Sequence, residues 1–412
     1  MNSNAPLSGI KVIELSTFVC GPTAARLLSD MGADVIKVEA ITGDSWRKSG
    51  VSFLPYRFEE KENPIFDLYN SGKRHISINL KSADGMEVFL KLLAGADVLI
   101  TNVRAASLKK LGPSYEVIRE KYPRLIYASV LGYGEKGPDA HKPAFDTTAF
   151  WARSGFIRDM SAMKENYEPV LAPIGMGDTA TAYLLAAEIS AALYRRERTG
   201  LGDNVSSGLY QNAIFCMGTM ITMAQAPFGR CFPYNRVDHG IPEGSYQCSD
   251  GEWIYFALGN SAVNLPKLVA LIGHPNLLDD PRFSDANRWA NRYEFYAYLR
   301  DAFLQKPVDE WVKLGDEYDI PLVRVAHFKE VAEDPQAWAN GYLERVTFAN
   351  GHEDTVPASP IQMESVGKIT TRPAPAIGAD TDEILAELGY SEEEIAQMIN
   401  LGAVKSALKN KQ

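Results

Sequence analysis

The sequence predicts an α/β protein built on a mainly parallel sheet with helices over both faces. Three observations lead there. Over the first two hundred residues short apolar runs alternate with helical stretches, the pattern of βαβ units. From about Gly229 to about Val331 aromatics, prolines and short elements take over, as in a smaller second domain. After that, helical signals return. In order, Gly9 to Leu15 reads as a strand, Thr23 to Met31 as a helix and Ala33 to Glu39 as a second strand. His75 to Leu80 follows as a strand, then a helix over Gly85 to Leu93, then strands over Ala96 to Thr101 and Arg124 to Val130. Asp178 to Arg198 is apolar on nearly every side and reads as a buried helix, closed by Arg195, Arg196 and Arg198 before Gly200. The Met- and Ala-rich stretch from Ser206 to Phe228 reads as a connecting helix. Trp253 to Leu258 is a strand running into a Gly259-Asn260-Ser261 turn. Asp380 to Leu388 is helical, and Ser391 with Glu394 forms a capping box for a final helix.

Bulk properties narrow the function. The 412-residue chain is 46% hydrophobic and 23% charged, ordinary for a globular protein large enough for two or three domains. Its net charge of -10, with no basic stripe, speaks against nucleic-acid binding. Cys20, Cys216, Cys231 and Cys248 show no CxxC spacing, and the six histidines form no ligand cluster. Neither a metal site nor a disulfide framework is expected, and a cytoplasmic setting is. No secretory signal or membrane-spanning run is read, so no membrane partner is expected.

In parallel sheets ligands bind beyond the carboxyl ends of the strands. Here those ends carry Phe18-Val19-Cys20-Gly21-Pro22, Asn102, and the glycine-rich loop Gly132 to Pro138 with Lys136. The beginning imitates a dinucleotide site, with acidic Glu39 closing the second strand. The turn nevertheless reads Cys20-Gly-Pro-Thr-Ala-Ala25 and lacks GxGxxG, so NAD is not expected and Glu39 is read as solvated or helix-capping. Asp178 stands between the glycines of Gly175-Met-Gly177 and the start of the long helix. Two roles suit it: an N-cap, or a nucleophile that bare glycine backbone lets a substrate approach.

Motifs along the chain decide between them. Pro6 to Leu15, Gly21-Pro22, Gly32 to Glu39 with Gly43-Asp44, Gly132 to Pro138, Gly177-Asp178, Gly200 to Asp203 and Gly378 to Tyr390 resemble, in order, the family III CoA-transferases. Gly132 to Asp139, Phe232 to Arg236 and Glu333 to Asn340 resemble the anaerobic 2-hydroxyacid branch, of the phenyllactate or 2-hydroxyisocaproate type. The resemblance implies a Rossmann-like large domain made from both chain ends and a smaller α+β domain, with two ring-like chains interlocked as a homodimer. Its parts would be residues 1–205, a linker helix 206–228, a small domain 229–331, and residues 332–412 returning to the large domain.

The implied chemistry is CoA transfer from an acyl- or enoyl-CoA to a 2-hydroxy carboxylic acid in amino-acid fermentation. Asp178 would carry aspartyl anhydride and aspartyl-CoA thioester intermediates, already ionised at a usual pKa of ~3.9. Coenzyme A, as a thioester co-substrate, would meet Phe18, Val19, Cys20, Leu80, Lys81, Asn102, Val103, Lys110, Lys136 and Lys142. Backbone N–H groups near Gly259 and Asn260 would serve as lid and oxyanion donors. A 2-methylacyl-CoA racemase of the same family would need a histidine where Phe145 stands in Ala144-Phe-Asp146. A non-catalytic acyl-CoA-binding protein is the other alternative. Phe145, Phe150 and Trp151 are candidates to hold a phenyl or branched aliphatic group.

Overall fold

A computed structural model describes residues 4–49, 63–112, 114–160, 169–225, 242–348 and 351–408. The motif Phe232 to Arg236 and Cys231 lie outside them. The chain divides into two compact units. One comprises Met1–Ile157, Leu171–Gly229 and Pro335–Gln412, the other Arg158–Val170 and Arg230–Asp334.

In the larger unit six strands run parallel: β1 (Lys11–Leu15), β2 (Asp34–Glu39), β3 (Arg74–Ile78), β4 (Val98–Thr101), β5 (Ile126–Leu131) and β6 (Asn204–Gly208). The smaller unit holds the antiparallel strands β7 (Gly244–Gln247), β8 (Trp253–Phe256) and β9 (Leu322–Arg324). A hairpin of β10 (Leu343–Thr347) and β11 (Glu353–Pro357) follows, and β12 (Val404–Lys405) returns antiparallel to β3. The large sheet has the order β12-β3-β2-β1-β4-β5-β6. The chain therefore winds outward from β1 through β2 and β3, then starts again on its other side at β4. That reversal is a topological switch point, where a crevice opens beyond the strand ends.

Strand alternation gives the sheet two apolar faces. Ile13, Leu15, Ile36, Val38, Ile76 and Leu99 pack with Val88, Phe89 and Leu92 of the helix Ala83–Ala94. On the opposite face Val12, Val35, Val98 and Ile100 meet Ala24, Ala25 and Leu28 of the helix Cys20–Asp30, and Ala182, Leu185 and Ile189 of the long helix Met176–Thr199. Burial on both faces is why these strands read as continuous apolar runs. The smaller unit packs Tyr246, Ile254, Phe256 and Leu322 of its sheet against Leu268, Leu299, Phe303 and Trp311.

Three expectations need correction. The stretch from Ser206 does not begin as a helix: β6 occupies Asn204–Gly208, and helices cover Leu209–Cys216 and Gly218–Met223. Ser206-Ser207-Gly208 shows no apolar alternation because Ser207, although buried, points a hydroxyl that donates to Glu188 Oε2 at 2.6 Å. The long helix, read as apolar on nearly every side and buried, buries one stripe and leaves Ala187, Ala191 and Tyr194 exposed. Glu39 is neither solvated nor capping. It is buried, and its two oxygens accept from Arg47 Nε at 2.8 Å and Nη2 at 2.9 Å, with His75 Nδ1 also 2.9 Å away.

Candidate active site

Asp178 is the third residue of the long helix. Gly175, at φ 78°, occupies the N-cap position, and no side chain caps this end. The N-cap reading of Asp178 therefore fails, and its carboxylate makes no side-chain hydrogen bond among the described residues. Left-handed Gly175 turns the incoming chain, a conformation a side chain would strain. Gly177 is required for a different reason. A Cβ there would lie 2.3 Å from Asp146 Oδ1 and 2.4 Å from Phe150 Cγ. The glycines of the motif thus let a second carboxylate approach the helix start.

That second carboxylate is Asp146, which the sequence reading noted only as the neighbour of Phe145. It is buried at the start of a π-helical turn, Asp146–Ala152, and its Oδ2 accepts the Gly175 N–H at 2.8 Å. Burial raises its pKa, while the amides of Gly175, Asp178 and Gly177 hold it down. Burial, followed by repulsion from Asp146, pushes Asp178 from 3.8 up to about 7. The expectation that Asp178 is fully ionised at neutral pH is corrected accordingly. Two carboxyls this close titrate as a pair, and the higher value makes the ionised Asp178 a better nucleophile.

The turn after β1 reaches the same place. Val19 Cγ1 lies 3.8 Å from where a Cβ on Gly175 would sit, and Tyr69 Oη lies 3.2 Å from it. Burial and the two aspartates raise Tyr69 to about 12, so the phenol stays protonated. Cys20 is buried and its thiol is pushed well up by burial and then by Asp178 and Asp146. It is a packing residue, not a thiolate.

The turn itself is held by Asn102, one of the expected coenzyme contacts, and by a buried charge network in which Glu14, Lys37 and Lys73 had not been singled out. Asn102, at the end of β4, accepts the Thr17 N–H at 3.1 Å and donates Nδ2 to the Thr17 carbonyl at 2.7 Å. It bridges β1 and β4 across the switch point. Asp44 Oδ1 accepts the N–H groups of Phe18 at 3.3 Å and Trp46 at 2.9 Å, and its Oδ2 pairs with Lys37 Nζ at 3.0 Å. Fully buried Lys37 also donates to Glu14 Oε1 at 2.7 Å, and Lys73 donates to Glu14 Oε2 at 2.6 Å and to the Pro22 carbonyl at 2.8 Å. Glu14 is driven up by burial, but the two ammonium groups outweigh this and take it down to about 2. Its interruption of an apolar strand was the available signal.

The remaining expected coenzyme contacts scatter. Leu80 and Val103 are half-buried against the sheet core. Lys81, Lys110, Lys136 and Lys142 are all exposed, and Lys142 pairs with Asp139 at 2.6 Å. Asp139 also binds Arg153, whose guanidinium lies over the rings of Tyr133 and Tyr210 at 4.8 and 4.9 Å. Gly259 and Asn260 belong to the smaller unit. There the Gly259 N–H is not a free donor, because it and the Leu258 N–H both bond Glu243 Oε1, at 3.0 and 2.5 Å. Asn260 precedes the helix Ser261–Leu271, and its carbonyl accepts from Val263 and Asn264. Of the three aromatic candidates, Phe150 and Trp151 are core and Phe145 is exposed.

Fold and site together define an α/β protein with a raised-pKa carboxyl, preceded by Gly177, close to the turn that follows β1 of a doubly wound sheet. The chain belongs to the CoA-transferase family III, whose model matches residues 7–381. It is 40% identical over 391 residues to the (R)-2-hydroxy-4-methylpentanoate CoA-transferase of Clostridioides difficile, covering 94% of this chain and 97% of the relative. It is 35% identical over 401 residues to the cinnamoyl-CoA:phenyllactate CoA-transferase of Clostridium sporogenes, covering 96% and 97%. The crystal structure of a CAIB/BAIF family protein from Brucella suis superposes with a TM-score of 0.79 at 29% identity, over 93% of this chain and all of that one. The protein is therefore a CoA-transferase acting on CoA thioesters. No described helix is long and apolar enough to cross a membrane.

Proposed function

We propose that the protein moves CoA from an acyl- or enoyl-CoA to a 2-hydroxy carboxylic acid through covalent intermediates on Asp178. The observation that carries this is the Asp178 carboxyl itself: preceded by Gly177 at a helix start that no side chain caps, and raised to about 7 beside Asp146. The two clostridial relatives, named for a 2-hydroxy acid and for phenyllactate, support the substrate class. An Asp178 oxygen attacks the donor thioester carbonyl, the C–S bond breaks, and CoA leaves as a thiolate. That thiolate attacks the aspartyl carbonyl of the mixed anhydride and expels the donor acid as a carboxylate. The acceptor carboxylate then attacks the aspartyl-CoA thioester and releases the thiolate. The thiolate takes the acceptor's acyl group and frees Asp178. No water or net proton enters, so the activation of the original thioester is conserved and no ATP is needed.

The contacts to CoA, the lid at Gly259 and Asn260, the interlocked homodimer, the cytoplasmic setting and a role in amino-acid fermentation belong to the same reading. Phe145 in place of a histidine argues against the racemase chemistry, which needs a second base. The test is a trap. The protein is incubated with aryl- and alkyl-acyl-CoA donors, quenched with hydroxylamine, and the Asp178 peptide read by mass spectrometry. A hydroxamate on Asp178 is expected. An unmodified Asp178 with acyl-CoA bound would sink the mechanism, as would CoA exchange persisting in Asp178→Ala.

A further inference from the structure

We propose that Phe145, set edge-on against Phe18, is the specificity-determining wall that receives the side chain of the acid, and that it selects apolar side chains of isobutyl to benzyl size. This rests on the function proposed above and names the substrate class of that site.

The aromatic segment after the glycine-rich loop is split by its surroundings. Phe150 and Trp151 are each 3% exposed, but Phe145 is 56% exposed. Its ring is open although its backbone is pinned. The Phe145 N–H donates to Thr148 Oγ1 at 3.0 Å, and its carbonyl accepts from the amides of Thr148 at 3.1 Å and Ala149 at 2.8 Å. What sets this ring apart is its place: an apolar face on a fixed backbone, one residue from the Asp146 that meets the Asp178 turn, can take up the apolar part of a ligand.

Phe18 supplies the second side of the corner. The ring centroids are 5.6 Å apart and the planes stand at 80°. Phe18 is itself backed by Trp46, whose ring centroid lies 5.9 Å away, and Phe145 is the exposed member of the pair. Phe18 holds this position at a cost, since its φ is 65°, in the left-handed region that disfavours a bulky residue. Non-glycine residues stay there only where the surroundings impose it, and such sites concentrate at ligand clamps. Here the Asp44 carboxylate holds the Phe18 amide, and buried Lys37 holds Asp44.

Both rings sit on the segments that flank Asp178. The residue after Phe145 is Asp146, bonded to Gly175 of the nucleophile's turn. The residue after Phe18 is Val19, in contact range of the same glycine. The corner therefore stands next to the reacting carboxyl and adds no acid or base to it.

The experiment measures kcat/KM for lactate, 2-hydroxy-4-methylpentanoate and phenyllactate as acceptors with one common acyl-CoA donor. Wild type, Phe145→Ala, Phe145→Leu and Phe18→Leu are compared. Wild type should prefer the two larger acids. Phe145→Ala should cut that preference about tenfold or more, through KM, since even one methylene in an apolar pocket is worth about tenfold. Phe145→Leu should keep 2-hydroxy-4-methylpentanoate and weaken phenyllactate. If Phe145→Ala does not fold, the two leucine variants carry the test. A wild type that transfers CoA but shows no preference, or a preference unchanged in the variants, overturns this inference and leaves the proposed function standing. A wild type that transfers CoA to none of the three acids overturns both.

Discussion

At the residue scale the determining fact is that the nucleophile we propose is a carboxyl kept partly protonated. Burial and Asp146 raise Asp178 to about 7. Only the ionised form attacks, so kcat/KM at subsaturating donor should rise with pH through about 7 and level above it. Asp146→Asn keeps an oxygen for the Gly175 N–H but removes the negative charge, so the midpoint should move towards acid. A midpoint that stays in place, read from the pH profile, would show that Asp146 does not bear on Asp178. The same shift links to stability. The folded state holds a proton on Asp178 at pH values where the unfolded chain, near 3.8, has lost it. Folding is therefore penalised progressively as pH rises from about 4, and the penalty is complete above about 7. Asp178→Asn should be inactive yet more stable than wild type at pH 8, by on the order of 1–3 kcal/mol after discounting for the carboxyl's opening to solvent. The difference should vanish near pH 4, as pH-dependent denaturant melts would show.

At the element scale the helix start and the β1 turn make the proposed site, and they were unequally legible. The parallel strands and the long helix were readable because apolar periodicity is local to the chain. Asp178 stood out for its glycine neighbours, whereas its partner Asp146 did not, since nothing near Phe145 announces a contact with Gly175. Glu39 and Glu14 misled or passed unnoticed for the same reason. A carboxylate in a strand reads as solvated until Arg47, His75, Lys37 and Lys73 arrive from other elements. The serine-rich strand β6 offered a single apolar residue, Val205, too little for a periodic signal. Gly177→Ala tests the close packing at the helix start. Its methyl group meets Asp146 Oδ1 and the Phe150 ring, and overpacking of this kind costs about 1–3 kcal/mol. Activity should fall with stability, and a variant of wild-type stability and rate would show that the helix start shifts freely. Lys37→Met tests the clamp behind Phe18. It leaves Glu14 and Asp44 buried with one cation fewer, and a loss of roughly 3–5 kcal/mol is expected in urea melts.

At the scale of the whole molecule the larger unit is closed by sequence that follows the smaller one. The Ser359 hydroxyl donates to Asp30 at 2.6 Å, and Arg26 donates to Thr371 Oγ1 at 2.8 Å. Asp67 accepts the Ala374 amide at 2.8 Å, and Asp380 accepts the His75 amide at 2.7 Å. Beyond them, Ile384, Leu385, Ile395 and Met398 complete the apolar face of the sheet, and β12 pairs with β3. A chain ended after Pro357 should therefore lose cooperative unfolding of the larger unit, and a sharp denaturant transition in that truncation would refute the point. The late arrival of β12 also sets a clock during synthesis. At ~5–20 residues per second, a ribosome takes roughly 10–35 s to travel from Gly229 to Val404. Throughout that interval the β3 edge and the bare apolar flank beside it lack their final cover. The nascent chain should be a client of holding chaperones for about that long, and slower elongation over the intervening codons should lengthen its exposure.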